Sequence, residues 1–179
     1  LAITGATTIC PGTTALVADA SPTGTWSSAD PTLASIGSGT GIITGILAGT
    51  TTISYTFTST GCYITSPLTV NPLPALISGA SFMCTGTTAT FTNASSGGHW
   101  SSADPSIATI NAISGHVTAI APGTVAITYT LTTGCLTTLW LVVNRFQPQL
   151  RVRLPFAQVP PQHWQSQFQV DTGAAAARQ

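Results

Sequence analysis

Through residue 144 the apolar side chains keep company with threonine and serine at a spacing of two, and no stretch repeats at helical spacing. Residues 51–58 show the pattern best: Ile53, Tyr55 and Phe57 fall on one face and threonines on the other, as in a half-buried strand. The same reading predicts strands over Thr13–Ala18, Thr25–Ser28, Ala34–Ile36, Gly41–Leu47 and Tyr63–Val70. Asp30-Pro31 and Ala48-Gly49-Thr50 act as breakers between them. A second series follows: Thr88–Thr92, His99–Ser102, Ala108–Ile110, Gly115–Ile120, Thr124–Thr130 and Leu136–Val143. The expectation is an all-β protein.

The two series are one series written twice. Trp26-Ser27-Ser28-Ala29-Asp30-Pro31 returns 74 residues later as Trp100-Ser101-Ser102-Ala103-Asp104-Pro105. Cys10 returns as Cys84 at the same offset, and Gly61-Cys62 returns as Gly134-Cys135 at 73, after one deletion. A unit of this length repeated in tandem is a module of an array. Six or seven strands per unit predict a sandwich of two sheets, with Trp26, Tyr55, Trp100 and Tyr129 in the cores. The expected domains are 1–71 and 76–144, joined by a linker at 72–75 whose two prolines favour extended geometry and a semi-rigid joint.

Charge narrows the function. Only 4% of the residues are charged, against roughly 25% in ordinary domains. Residues 1–144 hold Asp19, Asp30 and Asp104 and no Glu, Lys or Arg. Without basic groups to neutralise phosphates, nucleic acid is not an expected partner. No apolar run reaches membrane-spanning length, so no membrane insertion is expected of this stretch.

The four cysteines form two equivalent pairs. Bonds Cys10–Cys62 and Cys84–Cys135 respect the repeat, and imply an oxidising compartment. Each would close a loop of about fifty residues and contribute ~3–4 kcal/mol by the loop-entropy account. A four-cysteine metal site is the rival, but no Cys-x-x-Cys spacing exists, so no metal or cofactor is expected.

The motifs Trp-Ser-Ser-x-Asp-Pro, Ala-x-Ile (34–36 and 108–110), Gly-x-x-Thr-x-Ile (41–46 and 115–120) and Gly-Thr-x-x-Ile-x-Tyr-Thr (49–56 and 123–130) stand in both copies. In these the chain resembles the bacterial immunoglobulin-like domain, group 2, over residues 1–144. The variant also resembles long arrays in secreted proteins of the Bacteroidetes type. The resemblance implies two tandem immunoglobulin-like β-sandwiches, an extracellular or cell-surface setting that includes intimin- and invasin-like adhesins, and no family-wide catalytic residues. Cys10 precedes its strand and Cys62 follows one, unlike antibody domains, so a disulfide is expected near one end of each sandwich.

Composition changes at Arg145. All four Arg and every Gln lie in 145–179, which lacks strand alternation and reads as an irregular tail. A shifted reading frame explains it. Taking the third base of each codon with the first two of the next permits Asn-Pro-Leu-Pro-Ala from Asn144 onward, the linker of 71–75. The same shift requires Cys or Arg at Phe156/Ala157, 13 positions past Asn144, as Cys84 lies 13 past Asn71. It also permits Gly-Gly-His-Trp-Ser-Ser over 169–175. The tail is thus read as a third repeat out of frame, its rival being a genuine Arg/Gln-rich linker or anchor. DNA sequence across codons 143–146 decides between them.

Candidate sites are few. Asp30 and Asp104 are read as turn-capping residues, because three Asp over two domains cannot supply the six to eight oxygens calcium takes. His99 and His116 have no partner at useful spacing, and Ser27-Ser28 and Ser101-Ser102 have no base, so no catalytic site is expected. Asn93-Ala94-Ser95 matches a glycosylation sequon, which leaves a glycan as a weakly indicated partner. Sheet proteins protect their edges with Lys, inward charge or Pro, and these repeats have almost none. The expected partners are therefore neighbouring copies of the repeat or chain, packed into a filament or side by side. The functional expectation is a non-enzymatic extracellular structural module of a stalk or filament. The alternatives are an adhesin that binds glycan or host protein, and a spacer in a secreted enzyme.

Overall fold

The computed structural model of the chain describes residues 2–21 and 23–146. The frame-shift reading of the tail therefore lies outside the described residues, apart from Arg145 and Phe146. Fifteen strands make up the described part, with no helix. Eight belong to the first half: β1 (Thr4–Gly5), β2 (Thr8–Ile9), β3 (Thr14–Ala18), β4 (Gly24–Ser28), β5 (Ala34–Ile36), β6 (Ile42–Gly45), β7 (Gly49–Phe57) and β8 (Tyr63–Val70). Seven belong to the second: β9 (Phe82–Cys84), β10 (Thr88–Thr90), β11 (Gly98–Ser102), β12 (Ala108–Ile110), β13 (His116–Ala119), β14 (Gly123–Leu131) and β15 (Leu136–Asn144).

The first half stacks a sheet of order β1-β3-β6-β5 on one of order β2-β8-β7-β4. The second stacks β10-β13-β12 on β11-β14-β15-β9. The missing counterpart of β1 is a single bridge, Ser78 to Thr92, where the first half pairs Thr4 with Ala18. Pairing is antiparallel except where the first short strand of each large sheet lies parallel to the last: β2 on β8, and β9 on β15. Those short strands, and β1, carry too few residues to show alternation in the sequence.

Alternation sets the cores. On β7, Thr51, Ile53 and Tyr55 point inward, and on β14 the same places are Val125, Ile127 and Tyr129. The inward Thr51 hydroxyl is not orphaned, since Asp30 N–H donates to Oγ1 at 3.0 Å. Each half buries its own cluster. One gathers Ile9, Val17, Trp26, Ile43, Ile53, Tyr55, Leu68 and Val70. The other gathers Met83, Phe91, Trp100, Val117, Val125, Ile127, Tyr129, Leu141 and Val143.

Trp26 and Trp100 lie against Tyr55 and Tyr129, with ring centroids 4.6 and 4.7 Å apart, at the separation packed aromatic pairs adopt. Each Tyr hydroxyl reaches out of its core to a loop carbonyl: Tyr55 to Ser21 at 2.7 Å and Tyr129 to Ser95 at 2.8 Å. Gly98 must be glycine here, because a Cβ would sit 2.6 Å from the Tyr129 ring.

Candidate functional site: the joint between the sandwiches

The expected disulfides do not form. Cys10 bonds Cys135, across the two halves and 125 residues apart, and Cys62 and Cys84 are free and exposed. The reason is the length of β8. Cys62 sits just before its first residue, while Ile9, next to Cys10, pairs with Val70 at its last. Eight residues at about 3.3 Å each separate the two ends by roughly 25 Å, whereas bonded cysteines need Cα atoms within about 7 Å. Cys84 and Cys135 are kept apart by β15 in the same way, for Cys84 pairs with Asn144 at the strand's far end. Each sandwich therefore carries one cysteine at each pole, and the bond joins facing poles of successive sandwiches.

The turn that delivers Cys135 is held by Leu131 N–H donating to the Cys135 carbonyl at 2.8 Å and Gly134 N–H to the Leu131 carbonyl at 2.9 Å. Gly134 takes φ +86°, a region glycine enters without a Cβ penalty. Cys135 is fully buried, with its sulfur 3.7 Å from the Asn71 carbonyl oxygen, so the bond lies at the head of the linker.

The linker's other end is tied by the sequon. Asn93 Nδ2 donates to the Ala75 carbonyl at 2.6 Å, and Ala75 N–H donates to Ser95 Oγ at 2.9 Å. Asn93 Oδ1 also accepts from Ser95 N–H at 2.8 Å. The amide nitrogen a glycan would occupy is thus already engaged in holding the linker to the second sandwich. Asn93→Ala is expected to cost about 1–2 kcal/mol, since it removes a part-buried donor and strands the Ala75 carbonyl. Faster amide exchange confined to residues 75–78 and 92–95 would check this.

The two Asp residues do local work. Asp30 Oδ1 accepts from Thr32 N–H at 2.9 Å and from the Thr32 hydroxyl at 2.6 Å. Asp104 does the same with Ser106, at 2.9 and 2.6 Å. The hydroxyl bond, then the amide bond, hold both carboxyls below the ordinary aspartate value. A depressed folded value means stability that is present above the unfolded pKa and lost as pH falls through the folded one. The amide resonances of Thr32 and Ser106 are accordingly expected to shift together below about pH 4, the unperturbed aspartate range. Asp104→Asn should remove only the Ser106 response.

His99 and His116 are exposed, and Ser102 Oγ donates to the Ala108 carbonyl at 2.7 Å. No cluster of His, Cys, Asp or Glu suited to a metal ion occurs among the described residues. Among the described residues no helix is long and apolar enough to cross a membrane.

Sequence reading missed one surface feature. Trp140 on β15 is 65% exposed and Phe82 on β9 is 67% exposed. Phe82 pairs with Val142, which shares its face of β15 with Trp140, so both aromatics stand on the outer face of one sheet. The equivalent of Trp140 in the first repeat is Pro67, and so the repeat hid it.

A search of curated proteins found no match. Among solved structures, a C-terminal 282-residue fragment of intimin, in complex with the intimin-binding domain of the translocated intimin receptor, is 15% identical, with a TM-score of 0.48. The likeness covers 80% of this chain and 64% of that one. Domains 1–6 of the surface layer protein SbsC are 18% identical, with 74% of this chain and 22% of that one covered at a TM-score of 0.32. Drosophila N-cadherin EC1–3 is 10% identical, with 79% and 63% covered and a TM-score of 0.34. The chain thus spans less than two thirds of each of these structures. Residues 64–138, from β8 of the first sandwich into β15 of the second, match the family model of the Bacterial Ig-like domain (group 2).

Proposed function

We propose that the chain is an extracellular structural module of a long repeat protein, forming a stalk or filament at or around the bacterial cell surface. The observation that carries this reading is the bond between Cys10 and Cys135 across two sandwiches. A cross-link at a joint serves a part whose work is to keep successive domains in register, and it persists in oxidising surroundings. The near absence of charge supports the same reading, because neutral threonine-rich sheet faces bring no electrostatic penalty when copies pack side by side. An antibody raised against the chain is expected to label intact cells and, in immunogold micrographs, thin projections. Label seen only after lysis overturns the proposal.

A second reading, adhesion by the modules themselves, is favoured by Trp140 and Phe82. Exposed aromatics grouped on one face are the surface that glycan or protein ligands engage. Binding to a glycan or host-cell surface that is lost in Trp140→Ala, with unchanged thermal unfolding, would support it.

A further inference from the structure

The two unbonded cysteines are the unused halves of the joint already formed. Cys84 is the repeat counterpart of Cys10, and the turn that follows it is held by the same bonds. Thr13 N–H and hydroxyl donate to the Cys10 carbonyl at 3.2 and 2.8 Å, and Thr87 N–H and hydroxyl donate to the Cys84 carbonyl at 3.1 and 2.7 Å. Gly12 N–H reaches the Gly45 carbonyl at 2.9 Å, and Gly86 N–H reaches the Ala119 carbonyl at 2.8 Å. Gly12 and Gly86 take φ +77° and +84°.

Cys62 is the counterpart of Cys135. Phe57 N–H donates to the Cys62 carbonyl at 2.8 Å, as Leu131 N–H does to the Cys135 carbonyl, and Gly61 stands at φ +70° where Gly134 stands at +86°. Both free cysteines are exposed where their bonded counterparts are half-buried and buried. Thr85, next to Cys84, borders a shallow, open depression with Pro122, Arg145 and Phe146.

We propose that Cys84 of one chain bonds Cys62 of a second copy, repeating the Cys10–Cys135 joint and making a covalent, head-to-tail polymer with one direction. The two residues cannot bond within one chain, because Cys62 lies at the outer pole of the first sandwich and Cys84 at the outer pole of the second. The bond needs a disulfide oxidant such as oxidised glutathione. The Cys84 thiolate attacks that disulfide, forms a mixed disulfide and releases one glutathione. The Cys62 thiolate of the second copy then attacks the Cys84 sulfur and releases the other. Two protein thiols are oxidised, one glutathione disulfide is reduced to two thiols, and the two protein protons pass to the departing thiolates. The contact is heterologous, so it propagates instead of closing on a pair.

This inference names the partner for the proposed stalk and rests on that reading. The test incubates the full chain with oxidised and reduced glutathione and follows it on non-reducing gels and by peptide mass mapping. A ladder of regularly spaced bands joined through Cys62–Cys84 peptides is expected. Cys62→Ser alone and Cys84→Ser alone should each abolish the ladder, and an equimolar mixture of the two should yield dimer and nothing longer. Cross-links that are mainly Cys84–Cys84 or Cys62–Cys62, or a chain that stays monomeric, overturn the proposal. The double variant Cys62→Ser/Cys84→Ser keeps the internal bond. If it and the parent chain both assemble end to end in sedimentation while no Cys62–Cys84 peptide forms, the covalent joint is overturned and the stalk reading stands.

Discussion

Trp100→Ala is expected to unfold most of the second sandwich at room temperature while leaving the first folded. The side chain is 5% exposed and lies against Tyr129, so its removal opens a cavity at the centre of one core. Truncations of this kind cost about 3–5 kcal/mol. A domain of some seventy residues has little more than that to lose. The damage should spread along Tyr129, whose hydroxyl donates to the Ser95 carbonyl and accepts from Gly98 N–H at 3.0 Å. It should stop at the joint, because the first core contains no residue of the second. Amide exchange resolved by peptide should show protection lost over β11, β14 and β15 and retained over β4, β7 and β8. Equal loss in both halves would mean that they fold as one unit.

Replacing Cys10 and Cys135 together by serine is expected to have the second largest effect. The bond spans 125 residues of sequence, and the loop-entropy account places its contribution to global unfolding at about 5 kcal/mol as an upper bound. Less is lost when one sandwich unfolds alone, since its neighbour still restrains the chain. Each half should therefore unfold at lower denaturant in the variant than in the parent protein. Small-angle scattering should also show a wider spread of maximum dimensions, because only residues 72–75 would hold the halves together. Unchanged scattering and unchanged midpoints would assign the joint's stiffness to the linker and its tie to Asn93.

Much of the fold is written in local patterns. Ile127 and Tyr129 declare the inner face of β14, and Asp104 with Ser106 is a turn whose bonds lie within two residues. The disulfide pairing was not legible, and the reason is one of symmetry. A repeat shows which cysteines are alike, but a bond within each unit and a bond from each unit to the next respect it equally well. The deciding quantity is the length of β8 and β15, which places alike cysteines at like poles. Trp140 escaped for the opposite reason: the repeat comparison highlights what recurs, and Trp140 replaces Pro67. The role of Asn93 was not legible either, since an Asn-x-Ser that tethers a linker is identical in sequence to one that carries a sugar.

The parallel strands at the rim of each large sheet bear on mechanics. Thr8 and Ile9 run beside Thr69 and Val70 in the same direction, as Phe82 and Met83 run beside Val142 and Val143. A pull on the two ends of a module therefore drags the parallel pair of strands in its large sheet past each other lengthwise. Their hydrogen bonds lie across the line of tension and share the load, instead of opening one after another like a zipper.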